Sequence, residues 1–298
     1  MTNTKNISDN PIVIKAPVSK RIVRPILRHV WLAFLSFIWL LPIIWLFVTS
    51  LSGYSGINTS HFFPETWSLA NYKKLLFQPD TVANFPAWFK NSMIIGIFTC
   101  LISSIFVMMT AYAFSCMRFR GRKQLMSFSI TLGMFPGVLS MIAIYFVMKM
   151  IGLTNSIVGL IIIYSAGSGL GFLILKGFFD TISGSLRESA KLDGASELTI
   201  FTKIVIPLSK PMIVYTVINA FLTPWMDFVM AQLMIRSKDP RNWTVAMGLY
   251  NLVQKTLVGK YFSVFCAGGV MVAIPISILF VIMQKFYVEG ITAGGVKG

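Results

Sequence analysis

The sequence predicts an all-α integral membrane protein with six transmembrane helices. Three observations carry that prediction. The chain of 298 residues has a mean hydropathy of +0.74 and only 12% charged residues, where a soluble domain carries roughly a quarter. Its apolar residues fall in six runs, at 31–51, 91–116, 124–148, 156–175, 211–235 and 261–284, each of about 20 residues or more and so able to cross about 30 Å of hydrocarbon as a helix. The runs do not alternate apolar with polar residues, which favours helices over a closed barrel, the other architecture that satisfies its backbone in lipid.

The net charge of +16 would suggest nucleic acid in a soluble protein, but its distribution points elsewhere. Lys and Arg concentrate in residues 1–29, in "MRFRGRK" (117–123) and in 176–210. Those segments share one side of the membrane, so the positive-inside tendency puts both termini in the cytoplasm. One segment dissents: loop 236–260 carries Arg236, Lys238, Arg241, Lys255 and Lys260 on the outer side. No nucleic-acid partner is expected. Residues 1–29 read as a flexible basic arm near anionic lipid, interrupted by Pro11, Pro17 and Pro25. The first span, 30–52, lies too far from the start and is too long for a cleaved signal peptide.

The outer loop 53–90 contains "WSLANYKKLLFQ", a short amphipathic helix with Leu69, Tyr72, Leu75 and Leu76 on one side. It reads either as a docking surface or as a helix lying on the membrane. In the third span, Pro136 frees a backbone carbonyl and Gly137 loosens the helix, as in a cavity-lining hinge or a packing kink. In the fourth, Ser165, Gly167, Ser168, Gly169 and Gly171 suit close helix packing. Asp227 is the one acidic residue inside a span, beside Pro224 and Trp225. Two roles stand for it: contact with the solute, or capping of broken backbone near an outer gate. In loop 236–260, Trp243, Met247, Tyr250 and Leu252 form either an element facing a partner or the solute path, or an interfacial anchor.

Cys100, Cys116 and Cys266 lie in or at the ends of spans with no metal-ligand spacing, and His29 and His61 fall in separate segments. No metal site is expected. The chain has no G-x-x-x-x-G-K-[ST] loop to hold ATP, and no nucleophile–base constellation points to an enzyme.

Between the fourth and fifth spans lies a charged insert, 180–211, holding Arg187, Glu188, Lys191, Asp193, Glu197, Lys203 and Lys210. Ser185 followed by Glu188 has the form of a capping box opening a helix from about Leu186 to Leu192. Asp193-Gly194 ends that helix, and Ser196 caps a second, with Leu198, Phe201, Val205 and Leu208 as its apolar stripe. Pro207 ends or kinks it, and Pro211 opens the fifth span at a tolerated first-turn position. A membrane-surface hairpin would have this amphipathicity too. The mixed charge of the first helix and the fixed turn argue for a protein partner.

The stretch "ESAKLDGASELTIFTKIVIPLSKP" resembles the EAA motif of ATP-binding-cassette importer permeases. Glu188, Ala190, Asp193, Gly194, Ala195, Phe201, Ile204, Pro207 and Pro211 match the pattern. Ser189 departs from the usual Ala, and "ISGS" stands where a proline is common. The segments "NYKKLLF", "WFKNSMIIG", "AYAFSCMRFRGR", "MFPG", "PWMDF" and "EGITAGGVKG" are similar to carbohydrate importers of the maltose/maltodextrin type, above all to their MalG-like subunits.

The resemblance implies a type I importer permease of the bacterial cell membrane, with a core over 91–290 and no cofactor of its own. ATP-Mg would sit on two partner ATPase subunits. The other implied partners are a homologous sister permease (MalF-like), an extracytoplasmic solute-binding protein and membrane lipid. The loop around Glu188, Ser189, Ala190, Asp193, Gly194 and Ala195 would be a cytoplasmic coupling helix, Glu188 engaging the ATPase by charge and Gly194 permitting close approach. The tail 291–298, with Gly294 just before Gly295 and Lys297, would reach the ATPase dimer. Asp227, Trp243, Met247 and Tyr250 would belong to the gate or to the loop meeting the binding protein. A permease for another solute, or a self-sufficient secondary transporter, are the competing readings.

Overall fold

The computed structural model describes residues 18–57, 61–167 and 171–294, with side chains over 25–57, 61–167 and 171–286. Most of the tail 1–29, together with Ser168, Gly169, Gly295 and Lys297, lies outside the described residues. The described residues form helices, joined by turns and one isolated antiparallel bridge between Ser52 and Trp67. The chain divides into two compact units after Leu46, so the first is described by itself. It consists of most of α1 (Val18–Ser50), whose Trp31, Phe34, Phe37 and Trp39 stand exposed. A helix apolar on all sides is the pattern of a lipid-facing span.

In the second unit, the short α2 (Ala70–Phe77) precedes α3 (Phe85–Cys116). The buried side of α2 is Asn71 and Leu75, with Leu69 turned outward. The Asn71 amide donates to the carbonyls of Ser50 and Ser52 at 3.1 and 2.7 Å, and the Tyr72 and Ser50 hydroxyls lie 2.6 Å apart. The helix expected to meet a partner or the bilayer therefore covers carbonyls of its own chain.

Helix α3 starts before the expected 91 because Asn84 caps it, accepting from the Ala87 N–H, and Pro86 occupies its first turn. Its 32 residues, at about 1.5 Å each, span about 48 Å. Ser92, Gly96, Thr99, Ser103, Ser104 and Ala111 form much of its buried side. Small residues at helical spacing let neighbours approach closely without an apolar driving force in lipid. The later helices α6 (Ile157–Ala166), α7 (Gly171–Phe179) and α11 (Lys210–Met226) pack against α3.

The third expected span is not one helix. α4 (Arg122–Gly133) and α5 (Gly137–Met150) meet at 102°. Pro136, extended at ψ 121°, cannot continue the helix, and its carbonyl instead accepts from the N–H groups of Leu139 and Ser140. The fourth is α6 (Ile157–Ala166) and α7 (Gly171–Phe179), bent by 42°. After the insert, built from α8 (Gly184–Leu192), α9 (Glu197–Ile200), a π-turn (Phe201–Val205) and α10 (Ile206–Leu208), comes α11 (Lys210–Met226). The fifth expected span breaks at Asp227 before α12 (Val229–Met234). A 3-10 turn (Pro240–Asn242), α13 (Val245–Leu252) and α14 (Val258–Gly294) complete the described residues.

Three clusters of buried side chains lie along this frame. One, around Trp88, joins the start of α3 to α11, α13 and α14. A second, around Leu160 and Met234, joins α5, α6 and α12. The third, around Tyr112 and Phe179, joins the end of α3 and α7 to the insert.

Candidate functional site

The insert begins one cap earlier than its sequence suggests. Ser183, extended at ψ 130°, is the N-cap, and its hydroxyl accepts from the Ser185 N–H at 3.3 Å. Helix α8 therefore starts at Gly184, which moves Glu188 into the second turn, beyond the capping-box position. Its carboxylate is exposed. The far end matches expectation. Gly194, at φ +80°, follows the C-cap Asp193. The Gly194 N–H donates to Lys191 O at 3.0 Å and the Ala195 N–H to Ala190 O at 2.9 Å, the paired bonds of a Schellman motif. Ser196 caps α9, accepting from the Thr199 N–H at 3.2 Å.

The second half of the insert is anchored on half of the stripe its sequence suggests: Phe201 and Val205 pack inward, and Leu198 and Leu208 do not. Ile200 and Val205 are fully buried, with Phe201 and Ile204 packed beside them, whereas Leu198 and Leu208 are exposed. The inward-facing line runs through buried Ile200, Val205 and Ser209 and half-buried Phe201 and Ile204, a helical face turned away from Leu198 and Leu208. The π-turn at 201–205 widens the helix here. After it, Ser209 marks an 86° bend into α11. Phe201 lies against the Tyr112 ring at 4.8 Å.

Two polar links complete the brace. The Tyr112 hydroxyl donates to Glu197 Oε2 at 2.6 Å, and Lys191 pairs with Glu197 Oε1 at 2.5 Å across the Gly194 turn. Hydrogen bonds from Lys191 and then Tyr112 hold the Glu197 carboxyl below the usual carboxylate range against the opposing effect of burial. Nearby, burial works against ionisation of Asp180, but Lys176 and Ser115 outweigh it and lower its pKa. Sequence reading missed Tyr112, Lys191 and Glu197 as a unit. A Glu in the first turn after a Ser cap reads as ordinary helix-dipole chemistry.

What the brace holds out is the outer side of α8 and its turn. Leu192 is 89% and Leu198 70% exposed, with Leu186 also outward. Glu188, Ser189 and Asp193 share this exposed stretch, while Ala190 and Ala195 pack inward. Behind it lies a polar hollow of about 600 Å³ whose lining includes Arg118, Arg122, Arg187 and Lys191 against Glu188 and Glu197. The Arg187 Nε is buried with no hydrogen-bond partner among the described residues.

The remaining candidate residues sit elsewhere. Asp227 ends α11, and its Oδ1 accepts from the Met230 N–H at 3.1 Å, bridging the break into α12. It also lines a cavity of about 610 Å³, as does Gly137 just past the Pro136 break. Met247 is buried and Trp243 half-buried, which removes Met247 from any partner-facing surface. The Trp243 indole N–H donates to Ser237 O and its ring stacks on Trp88 at 6.3 Å. Tyr250 is exposed, its ring 4.0 Å from that of Phe228. Gly294 ends α14.

Residues 109–292 match the profile of the family described as binding-protein-dependent transport system inner membrane component. The chain belongs to this family. It is a membrane permease component rather than a catalytic subunit. Among relatives, the galactooligosaccharides transport system permease protein GanQ of Bacillus subtilis is 35% identical over 94% of this chain and 98% of its own. The maltodextrin transport system permease protein MdxG of the same organism is 32% identical over 93% and 98%. The maltose/maltodextrin permease protein MalG of Photorhabdus laumondii is 34% identical over 87% and 91%. In fold, the chain is similar to a subunit of a bacterial ABC transporter that imports the acidic polysaccharide alginate. The TM-score is 0.74 at 23% identity, over 92% of this chain and 99% of that one.

Proposed function

We propose that this permease forms one half of the pathway of an ATP-driven importer of neutral oligosaccharides of the maltodextrin or galactooligosaccharide kind. Its α8 insert is the cytoplasmic docking element for an ATPase subunit. The observation that carries the coupling role is the contrast within the insert: Leu186, Leu192 and Leu198 stand exposed on a helix and turn that Tyr112, Glu197, Ile200 and Val205 hold in place. An exposed apolar set on a rigid base is what a protein partner covers. A surface helix bound only to lipid would need no such brace. The names of the relatives support the solute class.

In this reading the chain binds no nucleotide, and ATP-Mg acts on two partner ATPases. A sister permease supplies the other half of the pathway, and a solute-binding protein delivers sugar from outside. Movement of the ATPases pulls on α8, and the bend at Ser209 passes that movement to α11. The C-terminal residues from Gly294 onward lie with α8 on the cytoplasmic side.

The test is co-purification followed by transport. The chain is expressed with its sister permease and ATPase, reconstituted in liposomes, and assayed with maltotriose and galactotriose delivered by the binding protein. Glu188→Lys and Leu192→Asp are expected to lower sugar-stimulated ATP hydrolysis at least about tenfold, as loss of a central interface contact does. Full stimulated hydrolysis and uptake in both variants would sink the coupling role.

A further inference from the structure

The cavity of about 610 Å³ among α3, α5, α6 and α11 has one polar wall. Tyr215, Asn219, Thr223 and Asp227, four residues apart along α11, all line it, with Thr216 beside them. Facing them are mostly apolar side chains, among them Met141, Ile144 and Met148, together with Ser103, Ser140 and Tyr164. A row of polar groups along an otherwise apolar span is costly in lipid and marks a wetted path.

The bonds these groups already make decide what they still offer. The Asn219 amide N–H donates to Tyr215 O at 2.8 Å, which leaves its Oδ1 as an acceptor. The Thr223 hydroxyl donates to Asn219 O at 2.8 Å, leaving its lone pairs. Asp227 uses Oδ1 on the Met230 N–H, and its carboxylate also interacts with Tyr164. Beyond these bonds the row offers acceptors at Asn219, Thr223 and Asp227, and donors in the Tyr215 hydroxyl and the second Asn219 N–H. No Lys, Arg or His is among the described residues lining the cavity. Hydrogen-bonding groups on one wall and mostly apolar side chains on the other match a pyranose, whose hydroxyls donate and accept around its rim and whose C–H groups lie on its faces. A carboxylate with no cation near it disfavours an anionic sugar.

We propose that the Tyr215–Asn219–Thr223–Asp227 row is a saccharide contact of this subunit, and that Asp227 selects neutral over acidic sugars. The inference rests on the oligosaccharide-importer reading and adds to it that this chain itself touches the solute.

The assembled transporter in proteoliposomes tests it, with uptake per assembled complex measured for maltotriose, galactotriose and trigalacturonate. Thr223→Val, isosteric but without acceptors, and Asn219→Leu are expected to lower neutral-sugar uptake at low concentration about tenfold, the effect of one lost hydrogen bond to a bound ligand. Thr223→Ser should restore it, which a purely packing role would not produce. Asp227→Asn should raise the ratio of trigalacturonate to maltotriose uptake. Val281→Thr, on the exposed side of α14, is the control. If the unaltered transporter takes up neither neutral sugar, the oligosaccharide reading fails and this inference with it. If it takes them up, and Thr223→Val and Asn219→Leu do so equally well with an unchanged sugar ratio in Asp227→Asn, the row alone is overturned. Should Asn219→Leu not assemble, Thr223→Val and its Ser partner decide.

Discussion

Two segments between spans, 236–257 and 183–209, read alike in the sequence: polar entries followed by short amphipathic helices. The structure treats them in opposite ways. In the first, the Trp88 indole N–H donates to Pro240 O at 2.8 Å, and the Asn91 amide donates to the carbonyls of Arg241 and Trp243 at 2.9 Å each. The Ser92 hydroxyl accepts from the Val245 N–H at 2.9 Å, and Val245, Met247 and Leu252 are buried. The insert buries Ile200 and Val205 but leaves Leu186, Leu192 and Leu198 outside. An amphipathic segment with its apolar groups satisfied inside its own chain is scaffold. One that holds several of them out on a rigid base is the docking surface proposed above.

The largest expected effect breaks the scaffold side. At Gly248 an added Cβ would overlap the indole ring of Trp88, which is 0% exposed and stacked on Trp243. Neither ring has room to yield, so Gly248→Ala should cost at least about 3 kcal/mol, the upper range for overpacking. The measurement is the amount of folded protein recovered from membranes and its melting temperature in detergent. Normal recovery and melting would show that 236–257 is not tied down as described.

The next effect sharpens the interface side and should leave stability alone. Leu192→Asp and Leu198→Asp alter side chains that touch little of their own chain, so melting should shift by less than about 0.5 kcal/mol equivalent. Recovery of the ATPase in pull-down should nevertheless fall steeply. A matching pair, Met247→Ala and Leu252→Ala, should do the reverse, costing about 2–5 kcal/mol each through cavities while leaving ATPase recovery per folded molecule intact. If the two pairs behave alike, the comparison fails.

What was legible in the sequence follows the range of the interactions involved. Gly194, Ser196 and Pro211 act through bonds within a few residues, and each ends, caps or opens a helix as its type dictates. Pro136 was legible as a break, but the 102° angle was not, because the angle depends on what each half packs against. The choice of Ser183 over Ser185 as cap turned on two serines of equal propensity two residues apart. The fate of 236–257 was out of reach, since its partners Trp88 and Asn91 stand about 150 residues away in the chain. The Tyr112–Glu197 brace, 85 residues apart, was hidden for the same reason. The polar row on α11 was present at every fourth position, but only the cavity beside it distinguishes it from polar groups turned back on their own helix.

A smaller effect is expected at Gly194, where φ is +80° and the space around a new Cβ is empty. Gly194→Ala should cost about 1 kcal/mol through backbone strain alone. Because the turn is exposed, an ATPase pressing against it would add a steric loss, so pull-down should fall more than melting does. Equal falls would place no partner at the turn.

The smallest expected effect joins the two ends, since each is latched by a tyrosine on a carboxylate. Tyr112 donates to Glu197 at 2.6 Å beside the insert, and Tyr261 to Asp80 at 2.7 Å beside α2. The Glu197 carboxyl is lowered by Lys191 and Tyr112. For Asp80, burial opposes ionisation, but the hydrogen bonds from Tyr261 and the Ala83 and Val82 N–H groups prevail and lower it too. A carboxylate whose folded pKa is depressed contributes stability that is fully present above its unfolded value, near 4, and is lost as pH falls through the folded value. Glu197→Gln and Asp80→Asn should therefore lower the melting temperature by a constant amount from pH 7 to about pH 5, and the gap to the parent should close below about pH 4. Because Glu197 is 41% exposed, solvent screening keeps its share below about 1 kcal/mol. Only Glu197→Gln should also weaken ATPase recovery, because its latch holds the proposed docking surface while that of Asp80 holds scaffold. A gap that widened on acidification would mean that these carboxylates are protonated in the folded protein, and the latches would have to be redrawn with the carboxyl as donor.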